Sequence, residues 1–225
     1  MTVSLPGPCL MLVTNLEVAG GADALIERVA AAVAGGADVV QVREKEMDEA
    51  SLTALAVRLR TVTAGRALLV VNESGGGEGL RAALASGADG VQLGERSYGV
   101  SATRAGAPGL LVGRSVHSFS GALRAAEQEA DYLVAGPVYS TLTHPGHPAA
   151  GVHLIADMAR AVRTPVIGIG GVEPENAGPV VTAGAAGVAV LRGLLAAPDP
   201  EAAARGIREA IDAAWAERPA IRRRA

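Results

Sequence analysis

The sequence predicts a single-domain α/β protein over residues 1–225, folded as a (β/α)8 TIM barrel. Three observations predict it. Eight apolar runs of strand length recur along the chain with little polar alternation, as expected of strands buried on both faces of a parallel sheet. Ala/Leu-rich segments with helical spacing lie between them. The strands recur at intervals of about 20 to 34 residues, and the chain length suits a barrel whose usual size is about 250 residues.

The first strand, LMLVT at 10–14, follows a stretch broken by Pro6 and Pro8. The helix DALIERVAAAVAGG, 23–36, closes on two glycines, and the strand DVVQVR, 38–43, follows after a short turn. ASLTALAVRLRTVTAG, 50–65, is the next helix and ALLVV, 67–71, the next strand. DGVQL, 89–93, and LLVGRS, 110–115, are the fourth and fifth strands. The helix ALRAAEQEA, 122–130, leads into DYLVAG, 131–136; HLIADMARAVR, 153–163, leads into PVIGIG, 165–170; AGVAVL, 186–191, is the eighth strand. A weak echo runs through GGADVVQVR, SGADGVQLG, QEADYLVAG and AGAAGVAVL, each with Ala ahead of a strand and three with Ala-Asp. It reads as a helix end, a tight turn and a strand entering the barrel from below. A doubly wound open sheet shares the alternation and is the alternative architecture.

Composition excludes several functions. The net charge of −3 and pI near 5.8 speak against a nucleic-acid partner. The basic tail at about 219–225 is expected to fray. Cys9 is the only cysteine, so no internal disulfide framework exists, which fits a reducing compartment. The N-terminus has no positive n-region, and no window approaches the roughly 18 apolar residues of a membrane span. A soluble cytoplasmic protein is the expectation.

In such a barrel the site lies at the C-terminal ends of the strands, so the polar residues closing each run are the candidates. They are Thr14-Asn15, then Gln41, Arg43 and Lys45, then Asn72-Glu73, Gln92, Ser115 with His117, and Tyr139 with Thr141. Arg43 and Lys45 are an anion-binding pair or a solvated loop that pairs with Glu44 or Glu46. Gly170-Gly171 after the seventh strand and Leu191-Arg192-Gly193 after the eighth are the pair of loops that often cradles a phosphate on backbone N–H groups. An imidazole at His117 can accept and return a proton near neutrality. The long loop 139–151 holds Thr141, Thr143, His144 and His147 and reads as a cover for the site. With no Cys or carboxylate beside its two histidines, zinc is not expected there.

The blocks QVREK, VVNE, GADGVQLG, GRSVHS, ADYLVAGPVYSTLTHPG, PVIGIGGVEPEN and AGAAGVAVLRG resemble, in order, the thiamin phosphate synthase and TenI superfamily of phosphate-binding barrels. The resemblance implies one of two activities. The synthase branch joins a pyrimidine methyl pyrophosphate to a thiazole phosphate and needs Mg2+ on the leaving group. The tautomerase branch aromatises a thiazole carboxylate phosphate by moving a proton and needs no metal.

The departures bear on that choice. The synthase pattern has Asn-Asp after the third strand, where this chain has Asn72-Glu73, and acidic residues after the fourth, where it has Arg96 and Ser97 with only Glu95 nearby. A guanidinium in place of hard oxygen ligands opposes Mg2+. His144 follows Thr-x-Thr where the synthase has Lys. GRSVHS is TenI-like; Gln41 through Lys45 is synthase-like; Arg192 stands where both branches usually have Ser. The expectation is therefore a thiazole tautomerase without cofactor or metal, its partner a small phosphorylated thiazole and its state a homodimer. His117 would be the base, with Gln41, Arg43, Lys45, Asn72, Ser115, Thr141, Thr143 and His144 on the substrate and Gly170, Gly171, Leu191, Arg192 and Gly193 on its phosphate. The alternatives are a Mg2+-dependent thiamin phosphate synthase and a non-catalytic thiazole or thiamin phosphate sensor.

Overall fold

The computed structural model describes residues 4–94, 97–141 and 149–218. Each expected run forms a strand: β1 (Cys9–Val13), β2 (Val39–Val42), β3 (Leu68–Glu73), β4 (Gly90–Leu93), β5 (Leu111–Val116), β6 (Tyr132–Ala135), β7 (Val166–Ile169) and β8 (Gly187–Val190). All neighbours pair in parallel, and β8 returns to β1 in the register Cys9↔Gly187 to Leu12↔Val190, so the sheet is a closed barrel rather than an open one. Helices α1 (Leu16–Ala19), α2 (Ala22–Ala34), α3 (Glu49–Thr63), α4 (Glu78–Ser86), α5 (Val100–Gly106), α6 (Phe119–Glu127), α7 (Gly151–Ala161), α8 (Pro174–Thr182), α9 (Arg192–Leu195) and α10 (Pro200–Ala216) fill the connections. The sixth helix begins at Phe119 rather than residue 122 because Ser118 caps it, accepting from Gly121 N at 3.2 Å. None of the described helices is long and apolar enough to cross a membrane.

The period-2 alternation of each strand sorts its side chains into two cores. Leu10, Leu12, Val40, Val42, Leu69, Val71 and Leu133 face outward and join Leu25, Leu55 and Ile207 from the helices. Cys9, Met11, Val13, Val39, Val70, Leu111, Tyr132, Val134, Ile167 and Ala189 form a separate cluster of strand residues that fills the barrel. Gly113 makes room there, since any side chain on it would collide with the Tyr132 ring and the Gln92 amide.

The Ala-Asp echo has a structural cause. Asp38, Asp89 and Asp131 each accept, at 2.7 Å, the backbone N–H of the preceding strand: Leu10, Leu69 and Val112. An arginine from a surrounding helix closes each clamp, Arg208 on Asp38 at 2.7 Å, Arg60 on Asp89 at 3.0 Å and Arg104 on Asp131 at 2.9 Å. The fourth unit has Ala186 at this position, and there Arg218 donates to the Ala185 carbonyl oxygen at 2.9 Å. The clamps sit at the strand starts, the end of a barrel where side chains serve stability, and leave the other end open for chemistry.

Candidate active site at the barrel mouth

The inward positions nearest the strand ends divide the mouth in two. On β2 to β5 they are Gln41, Asn72, Gln92 and Ser115; on β6 to β8 and β1 they are apolar: Val134, Ile169, Ala189 and Val13. Gln41 Nε2 donates to Asn72 Oδ1 at 3.3 Å, Asn72 Nδ2 to Ser74 Oγ at 2.9 Å, and Gln92 Nε2 to Ser115 Oγ at 3.0 Å. Gln41 and Gln92 are buried, so these bonds hold a polar arc at a fixed height below the opening. A ring that stacks on the apolar half can be read by donors and acceptors on the polar half.

Above the arc stand the groups that carry charge. Arg43 follows Gln41 by two residues and shares its face. The alternative pairing of Arg43 with Glu44 does not form: Glu44 takes Thr14 Oγ1–H on Oε1 at 2.6 Å and Leu16 N–H on Oε2 at 3.1 Å, and Thr14 Oγ1 in turn accepts from Arg43 N at 2.9 Å. Glu44 therefore ties the ends of β1 and β2 together. Burial lowers the Arg43 pKa, partly offset by the charge of Glu44, so an incoming anion would find a poorly hydrated cation. Lys45 is exposed beside it.

His117, just beyond β5, is exposed, with Nδ1 2.6 Å from the Gly136 carbonyl oxygen at the end of β6. On the far rim Gly170 and Gly171 adopt φ of 105° and 63°, and an added Cβ at Gly170 would lie 2.7 Å from Pro137 Cβ. Only glycine fits this loop without strain. Asn176 locks it, donating from Nδ2 to Gly171 O at 2.9 Å while its own carbonyl accepts from Tyr139 Oη at 3.1 Å. Leu191 closes the interior, and the exposed Arg192 opens α9 followed by Gly193. An added Cβ at Gly193 would be 2.7 Å from Glu173 Oε2, so a carboxylate borders this loop; burial and then Glu175 raise its pKa.

The closed topology thus collects the described candidates at one end of the barrel: Gln41, Arg43, Lys45, Asn72, Ser115, His117, Thr141, Gly170, Gly171, Leu191, Arg192 and Gly193. Thr143, His144, His147, Glu95, Arg96 and the tail at 219–225 lie outside the described residues. Sequence reasoning missed Glu44, Asn176 and Glu173 as parts of the mouth. The signal for Asn176 was present in EPEN, whose fourth residue returns its side chain to the helix start, Glu173 N to Asn176 Oδ1 at 2.9 Å.

Comparison with known proteins settles the relationship and corrects the expected activity. The family model described as TMP-TENI, thiamine monophosphate synthase, matches residues 10–194. A protein of Methanoculleus marisnigri named thiamine-phosphate synthase is 40% identical over 189 residues, 83% of this chain and 87% of that one. One of Roseiflexus sp. with the same name is 37% identical over 215 residues, 94% and 89% of the two chains. The solved structure of a thiamine phosphate pyrophosphorylase from Pyrococcus furiosus superposes with a TM-score of 0.82 at 30% identity, covering 92% of this chain and 96% of that one. These relatives overturn the tautomerase, and with it the isomerase class. That expectation rested on local departures, at Glu73, at Glu95 to Ser97 and at His144, and on GRSVHS, against similarity that extends over most of the chain. By sequence and by fold, the chain belongs to the thiamine monophosphate synthase family.

Proposed function

We propose that this protein is a thiamine-phosphate synthase, a transferase that joins a pyrimidine methyl pyrophosphate to a thiazole phosphate. The observation that carries the reading is the 40% identity, over most of both chains, with a protein of that name. In the reaction the thiazole nitrogen forms a bond to the pyrimidine methylene carbon as the carbon–oxygen bond to pyrophosphate breaks. The ring nitrogen's lone pair makes the new bond and the leaving oxygen keeps the old pair. No proton moves in that step, so the site needs positioning and positive charge rather than a base.

The mouth suits this division of labour. The half-buried Arg43, with Lys45, faces the pyrophosphate from the β2 side and stabilises charge that grows on the leaving group. Backbone N–H groups of Gly170, Gly171, Arg192 and Gly193 hold the thiazole phosphate on the opposite rim. Gln41, Asn72, Gln92 and Ser115 orient the rings, and Val134, Ile169 and Ala189 offer them an apolar wall. His117 contributes a hydrogen bond from the β5 end, and Thr141 contributes a donor from beyond β6. Mg2+ would supply further charge on the pyrophosphate, but the carboxylates described at this mouth do not fit it.

The test is incubation with both substrates across a Mg2+ series, with chromatographic detection of the coupled product and of released pyrophosphate. Coupling with equimolar pyrophosphate is the expected result. No coupled product at any Mg2+ concentration would overturn the reading.

A further inference from the structure

The synthase reading implies a divalent cation on the pyrophosphate, in the resembled pattern beside acidic residues after β3 and β4. In this chain the carboxylate at the end of β3 is Glu73, and it is 1% exposed. It follows Val71 by two residues, so it points outward from the barrel beneath the start of α4. Its Oε1 accepts the N–H groups of Gly75 and Gly77, the latter at 3.1 Å, and its Oε2 accepts Leu80 N–H at 3.1 Å. Mg2+ demands near-octahedral oxygen ligands at about 2.0–2.1 Å. Turning Glu73 toward such an ion would strip three backbone donors of their acceptor.

The β4 side is occupied in a different way. Ser97, at one of the positions where the pattern is acidic, donates to Gly94 O at 2.6 Å and accepts from Arg114 Nη1 at 3.4 Å. The same Nη1 donates to Tyr98 O at 2.9 Å, so a guanidinium backs the loop where an anionic ligand would be needed. Among the described residues no three His, Cys, Asp or Glu side chains converge on a metal site.

We propose that the β3–β4 rim of this chain is a pair of structural clamps instead of a divalent-cation site. Glu73 holds the turn into α4, and Arg114 with Ser97 holds the start of the loop into α5. Arg43 and Lys45 then carry the protein's share of positive charge toward the pyrophosphate. The inference rests on the synthase reading only for which ion matters.

The test is titration of the full chain with Mn2+ in the absence of substrate, read by paramagnetic resonance of the free ion, alongside thermal unfolding of wild type, Glu73→Gln and Glu73→Asp. The expected result is no stoichiometric Mn2+ binding up to about 1 mM, the weak end of protein cation sites. Both variants are expected to unfold several degrees earlier, with unchanged Mn2+ response. Stoichiometric Mn2+ binding that is insensitive to Glu73→Gln supports the Glu73 clamp if it survives Ser97→Ala, and overturns the proposal for the β4 side if Ser97→Ala abolishes it. Stoichiometric binding abolished by Glu73→Gln and retained by Glu73→Asp would overturn the proposal, as would unchanged unfolding in both variants. The wild-type titration stands even if a variant does not fold. No substrate enters these readouts, so absence of coupling would overturn the synthase reading without touching this one.

Discussion

His117 donates from Nδ1 to the carbonyl oxygen of Gly136 across 2.6 Å, tying the end of β5 to the end of β6. A carbonyl oxygen can only accept, so this bond places the proton on Nδ1 and leaves Nε2 of the neutral ring as an acceptor. The ring is thereby held in one orientation.

Orientation without proton transfer sets an upper limit on what its loss does. In steady-state coupling assays, His117→Ala is expected to lower kcat/KM by about tenfold, short of the 10²- to 10⁴-fold typical of a lost general acid or base. A loss beyond about 10³-fold would assign it proton transfer after all.

Arg43 is the cation whose burial asks for an anion. Arg43→Gln removes the charge and the guanidinium while keeping a shorter polar side chain. It is expected to cost about 10- to 100-fold in kcat/KM with the pyrophosphate substrate varied, the equivalent of one charge-assisted hydrogen bond. An unchanged constant would remove it from the site.

Glu173 borders the loop at Gly193, where its charge would oppose the phosphate that the proposed function places there. Burial and Glu175 raise its pKa, and a phosphate beside it raises it further, so protonation and phosphate binding favour each other. The KM for the thiazole phosphate should therefore rise with pH through this titration. Glu173→Gln is expected to lower that KM about two- to fivefold and to flatten its pH dependence; a higher KM in the variant would contradict the assignment.

The bottom clamps affect stability without touching turnover. Asp89→Ala leaves Leu69 N–H and Arg60 Nη1 without their acceptor, while Arg60 keeps its bonds to Gly87 O, at a cost of about 2–3 kcal/mol. For a chain of this size that lowers Tm by roughly 5–10 °C. Calorimetry paired with the coupling assay checks it, and kinetic constants should be unchanged.

Cys9 lies among barrel-filling residues at 1% exposure, and burial first, then the Asp38 carboxylate, push its thiol pKa far up. The thiolate is the reactive form. Alkylation of the native protein should be negligible and should rise with denaturant along the unfolding curve; rapid labelling in buffer would show that the barrel opens locally.

Several of these residues were legible in advance and others were not. All eight strands could be read from apolar runs, because a strand covered on both faces has no polar position to spare. The glycine pairs and Arg43 stood out because they end such runs. Glu44, Asn176 and Glu173 did not: each acts through a contact whose partner lies on another strand, another loop or a helix start. The activity is not legible from local substitutions such as Arg96 and Ser97, which point away from a synthase while similarity over most of the chain points to one.

The sequence by itself determined the layer architecture and the end of the barrel that does chemistry, since both follow from period, length and the residues that terminate strands. Tertiary structure alone decided that the sheet closes, through the β1–β8 pairing, and that Glu73 faces α4 and not the mouth. It also decided that Glu44 bonds Thr14 and the Leu16 N–H and so ties β1 to β2. Side chains one residue apart on a strand point to opposite faces of the sheet, so whether a carboxylate serves catalysis or stability is set by register, which becomes definite only when the barrel closes.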